Sequence, residues 1–134
     1  MTAIDTNILL YARDARDLRK QTVASHLITS IEDVVLLWQV ACEYVAASRK
    51  LRSADYGQDE AWRDILDFAK IWPLRLPSPG ILTTARELCV AYSLSTWDAL
   101  LLGACVEANV TCLFSEDLQG GANIAGVEVV NPFA

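Results

Sequence analysis

Three observations predict an α/β fold for this chain, a three-layer α/β/α sandwich around a central, mainly parallel β-sheet. Short apolar runs of strand length alternate with longer stretches of helical pattern. The 134 residues, 53% hydrophobic and 21% charged, suit one globular domain over 1–134 that buries roughly two-thirds of its unfolded surface. No internal repeat, low-complexity tract or linker breaks the alternation.

Each element has its own signal. "TAID" is a short first strand, and Asp5 or Thr6 caps a helix running to about Ala12. In "RKQTVASHLITSI", Val23, Leu27, Ile28 and Ile31 recur at helical spacing. "DVVLLW" is a continuous apolar run of strand length, and "QVACEYVAASRKL" is helical in composition. "GQDEAWRDILDFAKI" places Trp62, Ile65, Leu66 and Ala69 on one helical face. The prolines of "WPLRLPSPG" exclude a helix interior and predict a strand and turn. "ILTTARELCVAY" and "STWDALLLGACVEAN" are two further helices, the second stopped by Asn109. "VTCLFS" and "VEVVNP" close the chain as strands.

Composition excludes several classes. The apolar runs fall far short of the ~18 residues of a membrane span, and Asp5 interrupts the N-terminus where a signal peptide needs its apolar core. The expectation is a cytoplasmic protein with no membrane partner. The four cysteines, Cys42, Cys89, Cys105 and Cys112, lack C-x-x-C spacing and are expected to be buried free thiols. A net charge of −6 argues against a general nucleic-acid coat protein. No Lys or Arg follows Arg86, whereas Arg13, Arg16, Arg19, Lys20, Arg49, Lys50 and Arg52 lie in the first 52 positions. Any grip on phosphates is expected from these residues.

His26 is the only histidine and sits in a helical pattern, so two-histidine ribonucleases, Ser-His-Asp triads and His-bound zinc lose their central residue. No G-x-x-x-x-G-K-[ST] loop or G-x-G-x-x-G turn is present to cradle a nucleotide cofactor. What remains is acid. Asp5, Glu43, Asp98 and Asp117 each stand in an apolar or small-residue setting. Each has a purely structural use as well: Asp5 as a helix cap, Glu43 on a solvent face, Asp98 closing the S-x-x-D capping box of "STWD", Asp117 in a turn before Gly120 and Gly121.

Taken together, these uses explain less. In a parallel sheet ligands bind beyond the carboxyl ends of the strands. Asp5 ends the first strand and "SED" ends the "VTCLF" strand, so their carboxylates converge on one edge. Uncompensated, they repel by several kcal/mol in a low-dielectric cleft. Hard divalent cations take oxygen ligands, so a carboxylate cluster without His or Cys points to Mg²⁺ or Mn²⁺. The commonest chemistry of such ions is phosphoryl transfer.

Four segments in order, "DTNILLYARD", "QVACEYVAASRKL", "STWDALLLGACVEAN" and "LFSEDL", resemble the motifs of PIN-domain ribonucleases, and among these the VapC-type toxins of type II toxin–antitoxin pairs. The resemblance implies a PIN-like fold and an Mg²⁺- or Mn²⁺-dependent endoribonuclease whose substrate is RNA. It implies that Asp5, Glu43, Asp98 and Asp117 bind the metal and activate water, with Asn7 and Ser115 orienting ligands or water and Thr6 a weaker candidate. It also implies a homodimer and inhibition by a cognate VapB-like antitoxin. Helices around Ala41–Ala47 and Leu100–Ala108 carry more small and apolar residues than one core-facing stripe requires, which gives a dimer or an antitoxin helix a surface.

The chain departs from the family pattern in three places: a very short first strand, Trp38 where a small hydroxyl residue is commoner, and Glu116 beside Asp117, although S-x-D favours Asp117 as fourth ligand. Asp5 is expected to be buried because a metal compensates its charge, with Asn7 fixing it by a hydrogen bond. The alternative is a catalytically inactive PIN-like binding module, against which retention of all four acids argues. A small Mg²⁺-dependent phosphatase or phosphoacceptor would need a lysine near the cleft, and no Lys lies beyond Lys70.

Overall fold

The structure, a computed structural model, describes residues 1–51, 56–118 and 121–134. Arg52 and Gly120, invoked above as a phosphate contact and a turn residue, lie outside the described residues.

The strands are β1 (Thr2–Ile4), β2 (Leu36–Leu37), β3 (Leu74–Arg75), β4 (Cys112–Phe114), β5 (Asn123–Ile124) and β6 (Val127–Val130). β1, β4 and β6 lie side by side and parallel, and β5 closes the edge antiparallel to β6. β2 and β3 pair in parallel, and a parallel bridge between Thr2 and Val34 ties that pair to β1. The sheet is therefore mainly parallel, and its inward residues Ala3, Ile4, Leu113, Val127 and Val129 are buried. Burial explains why these strands are near-continuous apolar runs.

The helices are α1 (Thr6–Tyr11), α2 (Leu18–Ser30), α3 (Trp38–Ala47), α4 (Gln58–Ile71), α5 (Gly80–Tyr92) and α6 (Thr96–Glu107), with a short 3-10 turn at Ser48–Leu51. The architecture is the expected three-layer α/β/α. α6 is buried around most of its circumference, through Ala99, Leu101, Leu102, Gly103 and Cys105, because it packs against both α5 and the sheet. Much of the apolar excess expected as free surface on this helix is thus absorbed by the core. Gly103 lets α5 come close, since a Cβ there would meet the Ile81 carbonyl at 3.3 Å.

Several local expectations are corrected. The strand expected over "DVVLLW" shortens to Leu36–Leu37, and Trp38 opens α3 instead of ending the strand. On α4 the inward residues are Ala61 and Ile65 with Phe68 and Ala69, spaced to rotate the buried face away from Trp62 and Leu66, which are 52% and 59% exposed. β5 was not expected. It forms a hairpin with β6 through Ala125 and Gly126, both at positive φ (53° and 84°), the combination of a type I′ turn. Of the cysteines only Cys105 is buried; Cys42 is exposed and Cys89 and Cys112 are intermediate, because they lie on the outer sides of their elements. His26 is exposed on α2, as expected.

Candidate active site

Parallel pairing of β1 with β4 sets Ile4 opposite Phe114, so the next residues, Asp5 and Ser115, emerge together from the carboxyl ends of the two strands. The Asp5 amide donates to the Phe114 carbonyl (2.8 Å) and the Ser115 amide to the Val130 carbonyl (2.9 Å), which locks the register beyond the last paired residues. Asp5 also caps α1, and its Oδ1 accepts from the Thr6 amide at 2.7 Å. Its Oδ2 accepts from the Ser115 hydroxyl at 2.7 Å. Ser115 is fully buried and Asp5 only 7% exposed.

Burial raises the Asp5 pKa from 3.8 to about 6; the Ser115 and Thr6 bonds oppose the rise, and the negative charges of Asp117 and Glu43 add to it. The carboxylate is still mostly ionised at neutral pH, held by neutral donors and crowded by other acids. Glu43 is oriented from α3: its Oε2 accepts from the Thr6 hydroxyl (3.2 Å) and its Oε1 from the Gln39 amide (2.9 Å). Gln39 Nε2 also donates to the Trp97 carbonyl at 3.2 Å, tying Glu43 to the N-terminus of α6. Asp117 follows β4, and its amide donates to the Ser115 hydroxyl oxygen (3.3 Å). Asp98 sits in the first turn of α6, next to the residue that Gln39 holds.

The capping box of "STWD" is only half made. The Asp98 amide donates to the Ser95 hydroxyl at 3.2 Å, but among the described residues the Asp98 carboxylate returns no bond. It is not consumed by capping. Glu116, by contrast, is committed: it pairs with Lys20, and although burial alone would raise its pKa, Lys20 and Tyr11 carry it below the usual carboxylate range. Of the two neighbouring acids, Asp117 is the exposed one.

The expected hydrogen bond from Asn7 to Asp5 is absent. The Thr6 amide and Ser115 already occupy the two Asp5 oxygens, and both Asn7 amide atoms are buried without a partner. A buried amide left unpaired costs about 1–3 kcal/mol, which a polar group brought by a ligand would offset. Among the described residues no three His, Cys, Asp or Glu side chains form a group able by itself to hold a metal. Of the four acids, Glu43 and Asp117 act on Asp5 through their charge, and Asp98 is not among the groups that do; Mg²⁺ is bound through one or two carboxylates together with waters and substrate phosphate. The crowded, buried Asp5 charge and the unpaired Asn7 amide both suit such an ion.

The N-terminal cations are largely committed elsewhere. Arg13 grips Asp64 through two bonds (2.8 and 2.6 Å), Arg16 grips Asp14 (2.8 and 2.9 Å), and Arg19 donates to the Phe133 carbonyl (2.8 Å). Arg49 and Lys50 are exposed on the turn after α3. Gln39 and Trp97 are members of the site that the motifs alone did not single out. The available signal was spacing, because Gln39 and Glu43 are one helical turn apart on one face.

Fold and site together define a class: an α/β domain carrying a carboxylate-rich site at the carboxyl edge of a parallel sheet. The sequence matches the PIN-domain family over residues 2–120, and the chain belongs to that family. No curated relative matches it. Similar solved structures include a toxin–antitoxin complex from Klebsiella pneumoniae (17% identity, 98% of each chain covered, TM-score 0.72). FitAcB from Neisseria gonorrhoeae aligns over 99% of each chain with 13% identity and a TM-score of 0.71. The Mycobacterium tuberculosis toxin VapC20, which cleaves the sarcin–ricin loop, aligns over 87% of this chain and 90% of its own with 15% identity and a TM-score of 0.68. Among the described residues no helix is long and apolar enough to cross a membrane.

Proposed function

We propose that the chain is a single-domain, cytoplasmic endoribonuclease dependent on Mg²⁺ or Mn²⁺, acting as a VapC-like toxin and restrained by a VapB-like antitoxin. The observation that carries this reading is Asp5, a buried carboxylate held by two neutral donors and crowded by Glu43 and Asp117, with no Lys or Arg among its described hydrogen-bond partners. Asp5 with Glu43 or Asp117 would hold the ion directly, and Asp98 would reach it directly or through water; the ion supplies charge compensation and polarises water and phosphate. The chain's own residues position these ligands. Ser115 and the Thr6 amide fix Asp5, the Thr6 hydroxyl and Gln39 aim Glu43, and the α6 N-terminus presents Asp98. Asn7 is left to orient water or substrate.

The Klebsiella toxin–antitoxin complex supports the partner, and VapC20, a toxin that cleaves the sarcin–ricin loop, supports the activity. An antitoxin arginine entering the acidic cleft would neutralise the same carboxylates and keep the ion from binding productively. A homodimer would place two such clefts beside a shared groove. The test is cleavage of mixed cellular RNA with Mg²⁺, with Mn²⁺ and with chelator, for the parent chain and for Asp98→Asn. Expected is cleavage that the chelator stops and that Asp98→Asn lacks. RNA left intact under every condition, with the chain folded, would favour the inactive binding module.

A further inference from the structure

A cavity of about 790 Å³ opens beside the acids and shares Glu43 with them. At its acid end stand two tryptophans from different helices, Trp38 at the start of α3 and Trp97 at the start of α6, 45% and 67% exposed. Large aromatic rings held this far out of the core lose burial energy, and nothing in the packing of either helix requires an indole there. They are also not independent of the site. Gln39, which follows Trp38, donates to both Glu43 and the Trp97 carbonyl, so one amide fixes the separation of the two helix starts and of the acid between them.

We propose that Trp38 and Trp97 form a stacking platform for an unpaired nucleobase of the RNA substrate, next to the phosphate that is cut. This rests on the ribonuclease reading and adds what that reading lacks, a feature that selects single-stranded RNA over duplex. A strand whose reacting phosphate lies at Asp5 and Glu43 carries its neighbouring nucleotide into the cavity that Glu43 also lines. Indole faces suit such a base because stacking tolerates any sequence and is available only to bases free of a duplex. The wall also offers a cation for a phosphate further along the strand: Arg75, whose guanidinium donates to the Glu107 carbonyl at 3.1 Å.

The occupant is a base and not a second copy of the chain because of where the tryptophans stand. Glu107 and Arg75 mark the far end of the cavity, ten residues along α6 from Trp97 and so about 15 Å from it. Trp38 and Trp97 stand instead at the end that holds Glu43, where a strand bound at the acids must pass.

The experiment compares the full Mg²⁺-loaded chain with Trp38→Ala, Trp97→Ala and the matching Phe variants on a short unstructured oligoribonucleotide of mixed sequence. Binding of an abasic ribose-phosphate strand and the mass by light scattering are recorded in parallel. Expected is a rise in KM of about tenfold for each Ala variant with a smaller change in kcat, most of it restored by Phe. Abasic-strand affinity and mass should stay the same. Ala variants with the parent KM would overturn the platform while leaving the ribonuclease standing. So would an equal loss on the abasic strand, or a change of mass with the loss of affinity, which would make the groove a protein interface. A parent chain that cuts no RNA removes the ribonuclease reading itself, and the platform with it.

Discussion

Asp5 and Asp64 are two carboxylates of similar seclusion that the fold treats in opposite ways. Asp5 is 7% exposed and the Asp64 side chain 12%. Asp64, on α4, accepts two bonds from Arg13 and one each from the Tyr44 and Tyr56 hydroxyls (3.0 and 2.8 Å), so its charge is met by a cation and its lone pairs by donors. The surroundings record this: burial, together with the neighbouring phenol and carboxylate, keeps Tyr44 protonated far above its ordinary range, and burial lifts Tyr56 to about 12. Asp5 receives only neutral donors and has acids for neighbours. One carboxylate clamps α3, α4 and the turn after α1 together. The other is held at an energetic disadvantage that a bound cation would remove. A buried charge reads as function where the chain leaves it uncompensated, and as architecture where the chain supplies the partner.

The sharpest way to break that contrast is activity. Asp5→Asn and Asp98→Asn should each lower RNA cleavage by at least about a hundredfold, while Asp64→Asn, assayed where it is folded, should stay within a few-fold of the parent. Loss of activity in all three to the same degree would show that the acids act through the fold and not through an ion.

Next in size is the pH dependence of stability in chelator. The folded Asp5 pKa of about 6 lies above its unfolded 3.8, so between those values the native state holds a proton that the unfolded state has released. Stability should therefore fall as pH rises from about 4 to about 6, by roughly 2–3 kcal/mol, and change little from this source above that window. Urea unfolding across the window should show the decline in the parent and its loss in Asp5→Asn. A parent curve that rises through the window would contradict the burial of an uncompensated Asp5.

A smaller effect is expected from Ser115→Ala. Removing the 2.7 Å bond takes away an interaction that lowers the Asp5 pKa, so the carboxyl titration followed by NMR should move upward. Cleavage at neutral pH should drop about twofold and recover as pH is raised. Smallest are the basic residues. Replacing Arg49 and Lys50 together should flatten the salt dependence of RNA binding by about 0.7 for each phosphate they neutralise in the parent. Arg13→Ala should leave the slope alone and cost about 1 kcal/mol of stability, modest because the arginine is half exposed and screened. A flattened slope for Arg13→Ala would move that residue from the Asp64 clamp to the substrate.

The helices and most of the sheet were legible from periodicity, and the meeting of Asp5 and Ser115 from their placement at strand ends. Asp5 after "TAI" and Ser115 after "CLF" had to meet once β1 and β4 were parallel neighbours. The missed features depend on partners far away in sequence. Asn7 looked like the group that steadies Asp5, but Ser115, 110 residues away, makes that bond. The Asp64 clamp joins α3 and α4 to Arg13 in the turn after α1 and to Tyr56 ahead of α4, and nothing local to Asp64 distinguishes it from Asp59 or Asp67 on the same helix. β5 escaped notice because its turn uses Ala125 at positive φ where Asn or Asp would have announced a hairpin. Likewise, Arg13, Arg16 and Lys20 are paired with acids, Asp64 and Glu116 far away in sequence and Asp14 close by, which leaves Arg49 and Lys50 as the exposed remainder of the expected phosphate grip.

The uncompensated charge of Asp5 is tested most directly by thermal unfolding of the parent and Asp5→Asn, each in chelator and each with saturating Mn²⁺. Asparagine can keep its carbonyl toward the Thr6 amide while its NH₂ donates to the Ser115 hydroxyl oxygen, so the substitution removes the charge and gives up the one bond that the Ser115 hydroxyl donates. Expected in chelator is a higher Tm for Asp5→Asn, by a few degrees for roughly 1–3 kcal/mol, and a Mn²⁺-induced rise in the parent that the variant lacks. A variant that melts below the parent in chelator, or one that gains as much from Mn²⁺, would contradict it.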